Sequence, residues 1–144
     1  GGVGSAIAAA LAGGGLARIR LFDLDAGVMQ GLAERLRAHY PALQVETGSN
    51  DPAGWDCVVN ATPLGMKAGD PMPVDVSRIA PTSFVGEVVM AQETTAFLAA
   101  AQAVGCQTQR GIDMLYEMIP AYLEFFGFPS TTPETLARLA RVRY

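Results

Sequence analysis

The stretch at residues 56–66, DCVVNATPLGM, decides how this chain can fold. Its first half is apolar as far as Asn60, which is typical of a strand buried on both faces of a parallel sheet. Pro63 and Gly65 then force a loop, and in an open α/β sheet such a loop lies over the carboxyl edge, where ligands bind. The simpler alternative is an ordinary turn stabilised by the Asn60 side chain. The stretch therefore predicts one strand of an α/β protein and a turn at its ligand-binding edge.

Apolar strands and helices alternate along the chain on both sides of this stretch. Leu32 and Leu36, one turn apart and preceded by Val28, mark the inner face of one helix, and Pro120 is expected to kink or break another. The alternation predicts a doubly wound, mostly parallel α/β sheet of Rossmann type with helices on both faces. Strands are predicted at residues 17–23, 43–47, 56–62, 83–90 and 106–110, and helices at 3–11, 26–40, 94–105, 112–127 and from 133 onwards.

Composition excludes several classes of protein. The 144 residues are 50% hydrophobic and 17% charged, which predicts one folded domain over residues 1–144. A net charge of −4 with a single lysine argues against nucleic-acid binding, and no apolar run reaches the roughly 18 residues of a membrane span. Cys57 and Cys106, without CxxC spacing, are typical of reduced, buried thiols in a cytoplasmic protein. Together with the single histidine, His39, they leave no set of metal ligands, so no metal is expected.

The chain begins with a glycine-rich turn, GGVG, that leads into a helix of small residues. Glycine lets the backbone approach a pyrophosphate, and the N–H groups of the following helix point at the anion. A plain structural turn explains the glycines equally well. The candidate pyrophosphate-binding residues are Gly1, Gly2, Val3 and Gly4.

An acidic residue, Asp23, ends the first predicted strand. It follows Gly4 at close to the roughly 20-residue spacing at which an acid accepts hydrogen bonds from the adenosine ribose hydroxyls. The alternative role is a helix N-cap, for which either Asp23 or Asp25 would serve. The 2′-phosphate of NADP would meet the carboxylates of both Asp23 and Asp25, and the residue between them, Leu24, carries no positive charge. NAD is therefore expected as the cofactor in preference to NADP.

Three segments together resemble the C-terminal cofactor domain of the shikimate/quinate dehydrogenase family. They are GGVG, NATPLGM at residues 60–66 and GIDMLYEMIPAYLEFFG at residues 111–127, and the resemblance covers nearly the whole chain. It implies an oxidoreductase that moves a hydride between a nicotinamide cofactor and the C3 hydroxyl or ketone of shikimate, quinate or a similar ring acid. It also implies a cytoplasmic enzyme linked to the shikimate pathway of aromatic amino acid biosynthesis, and it leaves a homodimer open.

The resemblance also assigns residues by position. Gly1 to Gly4 would hold the pyrophosphate. Asp23, Leu24 and Asp25 would face the adenosine ribose, where members that use NADP usually carry Asn-Arg-Thr. Met90 and Met118 stand where the family has a Tyr and a Gln that touch substrate, so they are expected beside the substrate. Core packing is the simpler interpretation for both of them and for Met114. The residues implied along the nicotinamide half are Thr62, Val88, Gly111 and Met114.

The family's acid–base pair, a Lys and an Asp, lies on a separate N-terminal substrate domain, so no catalytic residue is assigned here. The first strand of the sheet would end where this chain begins. We therefore expect a truncated cofactor domain that is inactive alone and meets its ring acid through the absent domain. Residues 112–144 are expected to form its C-terminal helical segment.

Two other functions remain open. One is a non-catalytic NAD-binding module or truncated pseudoenzyme. The other is a different Rossmann dehydrogenase, such as a relative of methylenetetrahydrofolate or glutamyl-tRNA reductases, against which the segment at residues 111–127 argues.

Overall fold

A computed structural model describes residues 1–140 of the chain. The chain divides into two compact units, Gly1–Asp51 and Pro52–Tyr144, and each unit contains a parallel sheet of its own. Residues 141–144, the end of the predicted C-terminal helical segment, lie outside the described residues.

The first unit consists of two helices and two strands. They follow in the order α1 (Gly2–Gly13), β1 (Arg18–Leu21), α2 (Ala26–His39) and β2 (Gln44–Thr47). β1 and β2 pair in parallel, from Arg18 opposite Gln44 to Leu21 opposite Thr47.

The core of the first unit joins the helices to the sheet. It contains Ala8 and Ala12 of α1, Leu36 of α2 and the following Leu43. On α2 the buried residues are Met29, Ala33 and Leu36, so the prediction that Val28 faces inward is wrong. The buried stripe runs one residue further round the helix, because Met29, Ala33 and Leu36 share one face at helical spacing.

The second unit has three parallel strands in the order β3-β4-β5. The strands are β3 (Cys57–Asn60), β4 (Phe84–Glu87) and β5 (Gln107–Gln109), and a short 3-10 helix, Val76–Arg78, precedes β4. Its α-helices are α3 (Ala96–Ala103), α4 (Gly111–Phe125) and α5 (Pro133–Leu139). The predicted alternation of helices with parallel strands is therefore confirmed for both units.

The core of the second unit lies around β4 and α3, where Val85, Phe97, Leu98 and Ala101 are buried. By contrast, Cys57, Val58 and Val59 of β3 are only half-buried, so the prediction of a strand buried on both faces is wrong. The physical reason is that, among the described residues, β3 pairs along one edge only, with β4. Of the two thiols predicted to be buried, Cys106 is buried and Cys57 is not fully so.

The C-terminal segment contains two helices. α4 continues through Pro120, so the predicted break in the helix does not occur. It begins with a capping box in which Asp113 accepts hydrogen bonds from the backbone and side chain of Arg110. α5 begins at the predicted residue 133, since the Thr132 hydroxyl caps the helix by accepting from the Thr135 amide and Pro133 takes the first helical position.

Candidate functional site

The predicted pyrophosphate residues form the start of α1, which begins one residue earlier than predicted. The Ser5 amide donates to the Gly1 carbonyl at 3.0 Å, so the amides of Gly2, Val3 and Gly4 precede the first hydrogen bond of the helix. A Cβ built at Gly1 or Gly2 would meet no atom within 4 Å. These amides, unused by the helix itself, are of the kind that donate to anions at a helix N-terminus.

The two carboxylates that follow β1 have different structural roles. Asp25 is the N-cap of α2, because its Oδ1 accepts from the Val28 amide at 3.0 Å. Asp23 is half-buried, and its Oδ1 accepts from the Asp25 amide at 3.0 Å, which closes the turn before the helix. Leu24 between them is 94% exposed. The N-cap alternative thus applies to Asp25 and is wrong for Asp23.

In the second unit, a side-chain network builds the turn after β3. Asn60 Oδ1 accepts from both the amide and the hydroxyl of Thr62, at 3.1 and 2.7 Å, and Asn60 Nδ2 donates to the Leu64 carbonyl at 3.0 Å. The Thr62 hydroxyl in turn accepts from the Leu64 amide at 3.1 Å. The simpler interpretation, a turn held by Asn60, is therefore confirmed. The Thr62 hydroxyl is engaged within that turn although its residue is exposed.

The loop continues through Gly65, whose φ of +99° suits glycine. Its amide and that of Lys67 both donate to Asp70 Oδ2 at 3.0 Å, and its carbonyl accepts from Gln92 Nε2 at 3.0 Å. The loop after β3 is thereby tied to the loop after β4.

Val88 and Gly111, both predicted along the nicotinamide half, lie against each other. A Cβ at Gly111 would stand 2.3 Å from the Val89 carbonyl oxygen and 2.7 Å from the Val88 carbonyl carbon. Only glycine allows the start of α4 to approach the end of β4 this closely.

The three predicted methionines differ in exposure. Met114 is half-buried, whereas Met90 is 46% and Met118 38% exposed. Core packing is therefore wrong for Met90 and Met118. Their place beside a substrate stays a prediction.

Sequence reasoning missed Glu87, the last residue of β4. The residue is 5% exposed, and its Oε1 accepts a 2.6 Å hydrogen bond from the Thr95 hydroxyl. Its Oε2 is buried, and no donor among the described residues reaches it. Burial raises the pKa of Glu87, and the hydrogen bond from the Thr95 hydroxyl only partly opposes this rise. The sequence does contain a signal for Glu87, because an acidic residue is unusual inside an apolar run such as residues 83–90.

This burial has a measurable pH dependence. A carboxyl whose pKa is higher in the folded than in the unfolded protein stabilises the fold fully below the unfolded pKa, and this stabilisation is lost as pH rises through the folded pKa. We expect Glu87→Gln, which does not titrate, to gain stability over the natural protein as pH rises above about 4.5. Urea unfolding from pH 4 to 8 measures this difference. A constant difference across that range would contradict the assignment.

Residues 1–140 contain no helix long and apolar enough to cross a bilayer. Within the same range, no three His, Cys, Asp or Glu side chains gather closely enough to hold a metal ion.

Known proteins resemble the chain over about half of their own length. The quinate/shikimate dehydrogenase (NAD(+)) of Corynebacterium glutamicum (strain R) is 35% identical over 133 residues, which cover 88% of this chain and 47% of that protein. The shikimate dehydrogenase (NADP(+)) of Jannaschia sp. (strain CCS1) is 30% identical over 140 residues, which cover 88% of this chain and 50% of that protein. The structure of quinate dehydrogenase from Corynebacterium glutamicum in complex with NAD matches with a TM-score of 0.80 at 34% identity. The match covers 96% of this chain and 52% of that protein. None of the protein-family models compared with the chain matches it.

Parallel strands alternating with helices, and a fold shared with solved dehydrogenases, define a Rossmann-type cofactor domain and confirm the predicted fold class. The chain belongs to the shikimate/quinate dehydrogenase family, as the three sequence segments predicted. It spans about half the length of the curated relatives that it matches. Those relatives include enzymes named for NAD and enzymes named for NADP.

Proposed function

We propose that this chain is the NAD-binding part of a dehydrogenase that acts on quinate, shikimate or a similar ring acid. The observation that carries the proposal is the arrangement after β1, where Asp23 and Asp25 flank the exposed Leu24. Carboxylates accept hydrogen bonds from ribose hydroxyls and repel a 2′-phosphate, whereas NADP sites commonly use an arginine. The relatives, which are named as quinate and shikimate dehydrogenases, support the substrate class.

The first unit supplies groups that fit the adenosine and pyrophosphate parts of NAD. The amides of Gly2, Val3 and Gly4 precede the first hydrogen bond of α1, which suits them to donate to an anion. Asp23 already accepts the Asp25 amide with Oδ1, and a carboxylate has further lone pairs for ribose hydroxyls. These residues therefore bind and orient the cofactor and carry no chemical step.

The second unit supplies candidates for the nicotinamide half. When bound, a nicotinamide ring gives or takes a hydride. The close contact between Gly111 and the Val88–Val89 backbone shapes a rigid surface for such a ring, and the Asn60 network fixes the turn that carries Thr62. Met90 and Met118 present apolar side chains where the substrate is proposed to lie.

One observation favours a second function, an NAD-binding module that does not catalyse hydride transfer. Oxidation of a hydroxyl requires a group that accepts its proton. The side chains proposed around the nicotinamide and substrate, those of Thr62, Val88, Met90, Met114 and Met118, hold no such group. Catalysis then depends on groups outside this set.

The test uses the protein expressed from its complete gene. We expect quinate- or shikimate-dependent reduction of NAD, followed by absorbance at 340 nm, with NAD bound at least about tenfold more tightly than NADP, which corresponds to about 1.4 kcal/mol. Binding of NAD without reduction by either acid would favour the binding module. Failure to bind either dinucleotide would overturn both functions.

The intact mass of the protein from its natural source separates the two functions independently. A mass well above 15.1 kDa would show that further residues accompany this chain and would favour the dehydrogenase. A mass of 15.1 kDa would favour the binding module.

A further inference from the structure

The turns that follow β3 and β4 each begin at a buried polar side chain, Asn60 and Glu87, and the proposed function gives Glu87 no role. Asn60 and Glu87 pair in register as the last residues of neighbouring parallel strands, so their side chains lie on the same face of the sheet. They are 3% and 5% exposed. Asn60 holds the turn from Thr62 to Leu64, and Glu87 holds Thr95.

Thr95 connects Glu87 to the start of α3 and to the loop after β3. Its hydroxyl accepts from the Leu98 amide at 3.2 Å as the N-cap of α3, so its own proton is directed to Glu87 Oε1. Its methyl group lies 3.7 Å from the position of a Cβ at Gly65. The side chain of Gln92, which lies in the same loop shortly before Thr95, donates a hydrogen bond to the Gly65 carbonyl. Thr95 therefore lies beside the loop that contains Gly65.

We propose that Glu87 is a positioning residue whose buried carboxyl, acting through Thr95, fixes the turn that carries Thr62 and the backbone of Val88. The proposal rests on the proposed function, in which Thr62 and Val88 lie along the nicotinamide half. Val88 directly follows Glu87, and its amide donates to the Asn60 carbonyl at 3.1 Å. The carboxyl thus supports two backbone segments that would contact the same ring.

The chemistry of the contact predicts which substitutions it tolerates. A glutamine keeps a carbonyl oxygen that can accept the Thr95 proton as Oε1 does. An alanine removes the acceptor and leaves the buried Thr95 hydroxyl without it. The conservative variant is therefore expected to preserve the position of Thr95, and alanine is not.

The experiment compares Glu87→Gln, Glu87→Ala and Val85→Ala in the protein expressed from its complete gene. Val85 is fully buried in the same strand, so Val85→Ala is a matched control for lost stability. NADH is the probe. Nicotinamide fluorescence measures its affinity and the emission spectrum of the bound form. The melting temperature of each variant is recorded as well. We expect Glu87→Ala to weaken NADH binding about fivefold and to shift the bound emission, with Glu87→Gln and Val85→Ala within about twofold of the natural protein.

Each outcome bears on one proposal. Unchanged affinity in Glu87→Ala, or an equal loss in Glu87→Ala and Val85→Ala, would overturn the positioning role. A loss of NADH affinity in Glu87→Gln as large as that in Glu87→Ala would overturn it as well. If Glu87→Ala does not fold, Thr95→Val, which removes the hydroxyl at nearly constant volume, is measured in its place with the same expected result. Absence of NADH binding by the natural protein would overturn the proposed function instead.

Discussion

Replacing Asp23 with alanine is expected to weaken NAD binding about tenfold or more and to change NADP binding by no more than about threefold. A carboxylate that accepts hydrogen bonds from both ribose hydroxyls contributes roughly 1.5–3 kcal/mol. With NADP, removal of the carboxylate also removes its repulsion of the 2′-phosphate, so gain and loss offset each other. Titration calorimetry with each dinucleotide measures both affinities.

The control for this prediction is Glu34→Ala. Glu34 is an exposed acid on α2 in the same unit, so the substitution removes one negative charge without touching the turn after β1. An equal loss of affinity for NAD and NADP in Asp23→Ala, or a comparable loss of NAD affinity in Glu34→Ala, would contradict a specific contact with the ribose.

Gly111→Ala is expected to destabilise the protein by about 3 kcal/mol or more, at the upper end of the cost of overpacking. The added methyl would stand 2.3 Å from the Val89 carbonyl oxygen, and a backbone atom cannot move aside as the end of a flexible side chain would. For a domain of this size the melting temperature should fall by roughly 10 °C. Thermal unfolding monitored by circular dichroism measures the change.

Gly86→Ala is the matched control in the same unit. A Cβ at Gly86, in the middle of β4, would meet the Phe84 ring at 3.5 Å, an ordinary contact distance. We expect a change of no more than about 1 kcal/mol. Similar destabilisation in both variants would show that the close approach at Gly111 does not set the cost.

The fold was predictable because local signals agreed along most of the chain. The apolar strands and the cap residue Asp25 mark boundaries that the structure confirms. Burial was less predictable, because the hydrophobicity of Val58 and Val59 does not reveal how many neighbouring strands cover them. Val28 was misplaced for a similar reason, since Met29, one position along, fills the same role on the helix.

The candidate site was predictable where chemistry follows from sequence spacing, as with the glycine turn and Asp23. Distinguishing Asp23 from Asp25 as the cap required coordinates, because both occupy acceptable positions before α2. Glu87 was missed because its importance depends on a partner, Thr95, whose hydroxyl reaches it only after α3 has folded back on β4.

The contact between Gly111 and the Val88–Val89 backbone also constrains the gene. Every missense change of a single nucleotide in a glycine codon introduces a residue that has a Cβ atom. At this codon each such allele places that atom against a carbonyl group that cannot move. Lineages carrying this domain should therefore retain the codon for glycine as long as the domain is under selection, even where the neighbouring methionines diverge.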